Sequence, residues 1–324
     1  MKNIFAKRAL NEDVTKLKER TVKIKRFFFP LLKQFVKLNN LFKGKRIIIE
    51  NFPKLDKGEQ YIFAAGHSYP NEIAVNISKL DRHVYTLIGT TDQVKNNPAM
   101  ALLWWIGMIY VNKKDPVSRH DSFLRMKKVL LNGSSVMLFP EGVLNNEESL
   151  LCNRPNPGGL YHLAIETGKK VIPIVSQTYN DSKTIRFIAG EPQDFSKMTK
   201  EEALKWWQTQ ITFMRYDMMF KEPILKREFL TGDIHEQYME DRKETYMEVH
   251  WTEDVWDEEI MPCKEKGYST PKEVRASLDK VELTNNNIGI LAPIIARRAE
   301  DIKYDFTKYM HENWDKPKKR VKRR

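Results

Sequence analysis

A histidine and a carboxylate stand five positions apart in Gly66-His67-Ser68-Tyr69-Pro70-Asn71-Glu72, directly after the apolar run Tyr61-Ile62-Phe63-Ala64-Ala65. An imidazole serves as a general base when one ring nitrogen is free to take a proton and an acceptor holds the other. Pro70 suits a loop turning into a helix, which puts Glu72 in the first helical turn, where it can set the tautomer and orientation of the ring. The pair follows the base-and-orienter logic of the serine protease triad without a nucleophilic serine. Ser68 lacks the Gly-x-Ser-x-Gly setting of a nucleophile turn. Alone, the spacing is weak, because a strand-end histidine hydrogen-bonded to its neighbours gives the same pattern.

The elements that must position this pair are legible around it. Short apolar runs at 46–50, 61–65, 83–89, 108–112, 135–139, 171–175 and 184–188 predict strands, and the intervening 72–80, 98–105, 119–131 and 159–167 predict helices. This rhythm implies an α/β fold with a mixed, largely parallel sheet flanked by helices, in which ligands gather in the loops after strand ends. No internal repeat is present.

Three further blocks follow His67 in order: Gly107-Met108-Ile109-Tyr110-Val111-Asn112-Lys113, then Phe139-Pro140-Glu141-Gly142, then Val171-Ile172-Pro173-Ile174. With them, residues 46–195 resemble the glycerolipid (lysophospholipid, 1-acylglycerol-3-phosphate) acyltransferases, which carry four such blocks. The family's first block is His-x-x-x-x-Asp, met here with Glu72. Its Phe-Pro-Glu-Gly block is intact. The approach Gly158-Gly159-Leu160 to Ala164-Ile165-Glu166-Thr167-Gly168 is also similar. The resemblance implies that His67 takes the proton of an acceptor hydroxyl attacking a thioester carbonyl, that Glu72 holds the ring, and that no acyl-enzyme forms. It implies acyl-CoA or acyl carrier protein as co-substrate with no other cofactor and no metal. A lysolipid would be the acceptor, and Gly107, Lys113, Phe139, Pro140, Glu141, Gly142 and Pro173 would bind substrate.

Two departures bear on the acceptor. Glu72 is one methylene longer than aspartate, though glutamate occurs here in some acyltransferases of similar type, including those acylating glycolipids. After Phe-Pro-Glu-Gly the family continues Thr-Arg-Ser, whereas this chain reads Val143-Leu144-Asn145. The loss of that arginine leaves a glycolipid or cell-wall sugar hydroxyl as an alternative acceptor. A catalytically inactive lipid-binding scaffold is a further alternative, against which the intact His67 and Phe-Pro-Glu-Gly block count.

Outside this domain, residues 1–43 are expected to form basic amphipathic helices. Asn11 caps the first, and Pro30, ill suited to a helix interior, starts the second. Leu31, Leu32, Phe35, Leu38 and Phe42 recur at helical spacing beside Lys33 and Lys37, downstream of Lys23, Lys25, Arg26 and Phe27-Phe28-Phe29. Such a stripe either lies in a headgroup region or packs on the protein's own core. Residues 44–198 form the expected acyltransferase domain, and 199–324 a mostly helical extension with a basic tail. Lys316, Lys318, Lys319, Arg320, Lys322, Arg323 and Arg324 contribute seven of the net +12 charges. A polycationic tail suits a phosphate-rich surface, here an anionic membrane, and no nucleic-acid recognition motif interleaves aromatics with basic residues in the body of the chain.

No apolar leader marks the N-terminus, and the longest uncharged apolar run, 98–111, is shorter than the ~20 residues that span a bilayer. The expectation is a chain peripheral on the inner, cytoplasmic face of a membrane. Cys152 and Cys263 lie far apart, which suits a reducing compartment. His162 and Glu166 share a helix face and form a local pair. His250, Glu253, Asp254, Asp257 and Glu258 read as an acidic solvated face, and Trp104 and Trp105 as core, acyl-chain lining or interfacial anchors.

Overall fold

The computed structural model describes residues 17, 19–68, 72–89, 107–113, 115–142, 145, 152, 159–178, 184–218, 224–225 and 281–284. Helix α1 (Glu19–Phe42) leads into strands β1 (Arg46–Asn51) and β2 (Ile62–Ala65), then α2 (Glu72–Lys79), β3 (Val84–Ile88) and β4 (Met108–Tyr110). There follow α3 (Pro116–Leu131), β5 (Ser135–Leu138), α4 (Gly159–Thr167), β6 (Val171–Thr178), β7 (Thr184–Ala189) and α5 (Lys200–Met218). A separate two-stranded ladder joins β8 (Ile224–Leu225) and β9 (Leu283–Thr284). The expected helix over 98–105, the acidic segment, Asn11, Trp104, Trp105 and the basic tail lie outside the described residues.

The seven main strands run in the order β1-β7-β6-β2-β5-β3-β4. Strands β6, β2, β5, β3 and β4 are mutually parallel, β7 is antiparallel to β6, and β1 is parallel to β7, so the sheet is mixed and largely parallel. Both faces are covered, and strand side chains alternate between them with the pleat. Ile62, Ala64, Val136, Leu138, Val171 and Val175 pack with Val129, Leu130, Leu163, Trp207 and Ile211 from α3, α4 and α5. Phe63, Ala65, Met137, Ile172 and Ile174 pack on the other face with Phe29 of α1, Ile77 of α2 and Leu80 directly after α2. Two expected boundaries therefore change. Helix α5, placed by sequence in a C-terminal extension beginning at 199, belongs to the core of the sheet. Its Ala203, Trp207 and Ile211 are fully buried.

The second change concerns Pro30, which does not begin a helix but lies inside α1. Proline there removes a main-chain donor and strains the turn before it. Contacts on either side hold the helix together: Phe29 is buried against His83, the Arg26 guanidinium donates to the Gly133 carbonyl, and the Lys33 ammonium donates to the Leu80 carbonyl. Val22 belongs to the α3–α5 layer and Phe29 to the α2 layer. Helix α1 therefore passes under the N-terminal ends of β5 and β3, then runs along α2 toward the opposite edge of the sheet, where β1 begins.

Candidate active site

Strand β2 is the central carrier of the site. Its Ala64 pairs with Leu138 of β5 and its Ala65 with Ile174 of β6, so the C-terminal ends of all three strands stand level. His67 leaves that edge two residues past β2, and Phe139 to Gly142 leave it directly after β5. The His67 main chain is clamped on both sides: its N–H donates to Glu141 Oε1 at 2.7 Å, and its carbonyl accepts the Asn145 N–H at 2.8 Å.

The ring itself is set by the first turn of α2. Glu72 Oε1 is bonded to His67 Nδ1, and Glu72 Oε2 accepts the Ser68 N–H at 3.0 Å. Glu72 has no exposed surface, whereas the His67 side chain keeps 18% of its own. Phe139 stacks on the imidazole with centroids 4.4 Å apart. With Nδ1 committed to the carboxylate, Nε2 is the nitrogen left to exchange a proton with a substrate.

The expected substrate-binding residues divide. Phe139, Pro140, Glu141 and Gly142 gather around His67, and Gly142 takes a φ of 72° that a side chain would strain. Glu141, however, points inward rather than toward an acceptor: its side chain is wholly buried, held by the His67 N–H and, at 3.3 Å, by Arg215 Nη2. Lys113 lies at the same edge, with its side chain folded over Gly89 at the end of β3, where a Cβ would collide with it. Two strand spacings, about 10 Å, separate that position from β2.

Gly107 and Pro173 are not brought to His67. Gly107 precedes β4 at the opposite sheet edge from Lys113, with a φ of 118° and the Tyr85 ring where a Cβ would go. Pro173 is buried within β6 beside Ala64, and its carbonyl accepts the Gly190 N–H at 2.9 Å. The His162–Glu166 pairing does not form as expected, because Glu166 instead bonds the Lys127 ammonium at 2.8 Å on an exposed face.

Arg215 escaped the sequence reading. It is 2% exposed and donates to Ser68 Oγ at 2.6 Å as well as to Glu141. The available signal was its phase on α5: Ala203, Trp207 and Ile211 define a buried face at four-residue intervals, and Arg215 continues it with a charge. Cys152 lies near this pair. Burial pushes its thiol well above the ordinary range, Glu141 adds to the shift, and Arg215 opposes it.

Residues 46–177 match the Acyltransferase family model. The chain is 24% identical over 154 residues to 1-acyl-sn-glycerol-3-phosphate acyltransferase alpha of Ovis aries, a match covering 46% of this chain and 52% of that protein. It is 31% identical over 94 residues to the Homo sapiens protein of the same description, covering 28% and 32%. The chain thus spans about half, or less, of the length of these curated relatives. The crystal structure of the 1-acyl-sn-glycerophosphate (LPA) acyltransferase PlsC from Thermotoga maritima superposes with a TM-score of 0.49 at 14% identity, covering 64% of this chain and 87% of that one. The family match encloses His67, Glu72, Lys113 and the Phe-Pro-Glu-Gly loop in one span, so residues 46–177 are similar to the Acyltransferase family over the stretch that builds the site.

Proposed function

We propose that this chain is an O-acyltransferase that moves a fatty acyl group from acyl-CoA or acyl carrier protein to a hydroxyl of a lysophospholipid such as 1-acylglycerol-3-phosphate. The observation that carries this reading is the His67 ring, bound at Nδ1 by a fully buried Glu72 and partly open to solvent. As the acceptor oxygen attacks the thioester carbonyl, its proton passes to Nε2, and Glu72 stabilises the imidazolium that forms. The tetrahedral intermediate then collapses, the C–S bond breaks, and the departing thiolate takes the proton from His67. General-base help of this kind contributes about 10²–10⁴-fold, with positioning supplying much of the rest. The proposed step uses the thioester as co-substrate and requires no other cofactor. Lys113, at the same edge, offers a point charge to the acceptor's anionic headgroup.

A membrane-bound acceptor suits the outer face of α1. Ile24, Phe28, Leu31, Phe35, Leu38 and Phe42 follow one another at intervals of three or four residues, and all are exposed, Phe35 at 69% and Phe42 at 81%. Lys23 and Lys37 stand exposed beside them. Lys33 and Lys79 lie close to Lys37, and burial first, then that neighbouring charge, lowers the pKa of each. An apolar stripe edged with lysines lies in the headgroup region of an anionic leaflet, here the cytoplasmic one, and delivers the catalytic edge to lipid. Among the described residues, no helix is long and apolar enough to cross a membrane.

A second acceptor class, a glycolipid or cell-wall sugar hydroxyl, is favoured by one specific observation. The tripeptide Val143-Leu144-Asn145 brings no cation to the loop, and the Asn145 N–H is used on the His67 carbonyl. Purified protein offered long-chain acyl-CoA or acyl-carrier-protein thioesters with a panel of lysophospholipids and glycolipids distinguishes these. Thiol release that depends on one acceptor and vanishes in His67→Ala supports the transferase and names the acceptor. Binding of lipid without thiol release across the panel sinks it.

A further inference from the structure

Helix α5 meets the catalytic strand at three successive points. The Trp207 indole N–H donates to the Ala64 carbonyl at 3.0 Å. Over Gly66, Ile211 and Arg215 fill the space so closely that a Cβ there would stand 3.0 Å from one and 2.8 Å from the other. Beyond it, Arg215 Nη2 reaches both Ser68 Oγ and Glu141 Oε1.

Those two partners are the residues that hold His67. Glu141 Oε1, the oxygen facing Arg215, also accepts the His67 N–H. Ser68 gives its own N–H to Glu72 Oε2, the second oxygen of the carboxylate on the ring. One guanidinium therefore bears on the main chain of His67 through Glu141 and on the orienting acid through Ser68. Both bonds come from the one Nη2 amino group, whose two N–H donors can serve two acceptors at once. Arg215 lies outside residues 46–177, so the family-matched span does not contain it.

We propose that Arg215 is a positioning residue for His67, holding the His67–Ser68 turn against α2 by pairing Glu141 and Ser68 together. This rests on the general-base reading of His67. Glu141 is wholly buried with the Arg215 guanidinium beside it, and removing one member of a buried ion pair takes away a charge that helps fix the other. With the guanidinium removed, Glu141 releases the His67 amide, and the ring swings away from the attack line. A displacement of about 1 Å at a reacting group is enough to cost up to ~100-fold in rate.

The test compares Arg215→Met, Arg215→Lys, Glu141→Gln and Arg215→Met/Glu141→Gln with Met218→Ala. Met218 is buried further along α5 and takes no part in the site. Arg215→Met is expected to lower kcat about 10- to 100-fold with KM for both substrates nearly unchanged, and Arg215→Lys to recover part of the loss. The double variant should be no slower than the worse single one, because both act along one path. Met218→Ala should lower Tm at least as far without lowering kcat. Nitrogen-15 spectra of the histidines, assigned with His67→Ala, give a readout independent of turnover: the His67 ring signal is expected to move in Arg215→Met. An unmoved ring signal, or a kcat that falls only as Tm falls, overturns the positioning role. A moved signal together with unimpaired transfer by His67→Ala leaves that role standing and removes the general-base reading instead.

Discussion

His67 and Glu72 face one another across the turn from β2 to α2, the ring Nδ1 on one carboxylate oxygen and the Ser68 main-chain N–H on the other. Because Glu72 has no exposed surface, its position is set by the packing of α2 rather than by its side-chain freedom.

That geometry makes the length of the acid matter. Glu72→Asp withdraws the carboxylate by about 1.5 Å and should lose the ring, the Ser68 N–H or both. Glu72→Gln keeps the length but offers an amide, which favours the wrong tautomer. Each is expected to lower kcat by about 10²–10⁴-fold, with His67→Ala at least as severe. Thiol release from the thioester, followed with saturating acceptor, measures the effect, and a Glu72→Asp enzyme of full activity would show that the extra methylene is incidental.

Trp207 ties α5 to the strand that carries His67. Trp207→Phe keeps most of the buried ring and deletes the donor to the Ala64 carbonyl. Loss of one buried hydrogen bond costs about 0.5–1.5 kcal/mol, and truncation to Ala about 3–5 kcal/mol through the cavity it leaves. Urea unfolding of the two variants should rank them in that order. Equal midpoints for Trp207→Phe and the parent protein would mean that the hydrogen bond contributes nothing.

The outer stripe of α1 predicts a separation of binding from stability. Phe28→Ser, Phe35→Ser and Phe42→Ser together remove three rings that are mostly exposed and belong to neither core cluster. Tm should hold or rise, while co-sedimentation with vesicles containing anionic phospholipid should fall at least about tenfold. Added salt should weaken what remains by screening the lysines. Undiminished sedimentation would remove α1 as the docking face.

The start of α5 carries a pH-dependent cap. Glu202 Oε2 accepts the Thr199 N–H at 2.8 Å and the Thr199 hydroxyl at 2.9 Å, while Thr199 Oγ1 accepts the Glu202 N–H. These bonds, from the main chain first, hold the Glu202 carboxyl below its usual range. A depressed folded-state pKa stabilises above the unfolded value and loses that stabilisation as pH falls through the folded one. Thr199→Ala should therefore lower Tm by about 2–4 °C near pH 7, with the deficit narrowing in acid below the ordinary glutamate range. A deficit constant from pH 7 down to pH 3 would assign the effect to helix propensity alone.

Short-range periodicity accounts for how much of the fold was legible. Tyr61 to Ala65, Ser135 to Leu138 and Val171 to Ile174 are apolar on consecutive residues because both sheet faces are covered, and that pattern predicts buried strands without reference to the rest of the chain. His67 and Glu72 stood out because they follow a strand end, and Phe-Pro-Glu-Gly because the four ordered blocks resemble those of an acyltransferase family. What the tertiary structure decided depends on partners far away in sequence. Pro30 stays helical because His83, Leu80 and Gly133 hold the turns around it.

Glu141 takes a partner from 74 residues further along the chain, the Arg215 guanidinium. Local pattern records which face of a segment avoids water, but it says nothing of which distant face will cover it. The sequence by itself determined the strands, their order of chemistry and the acid–imidazole pair. Only the packing of α5 against β2 decided that one carboxylate orients the ring while the other is neutralised beneath it, because a buried charge takes its role from whatever partner the folded chain brings within reach.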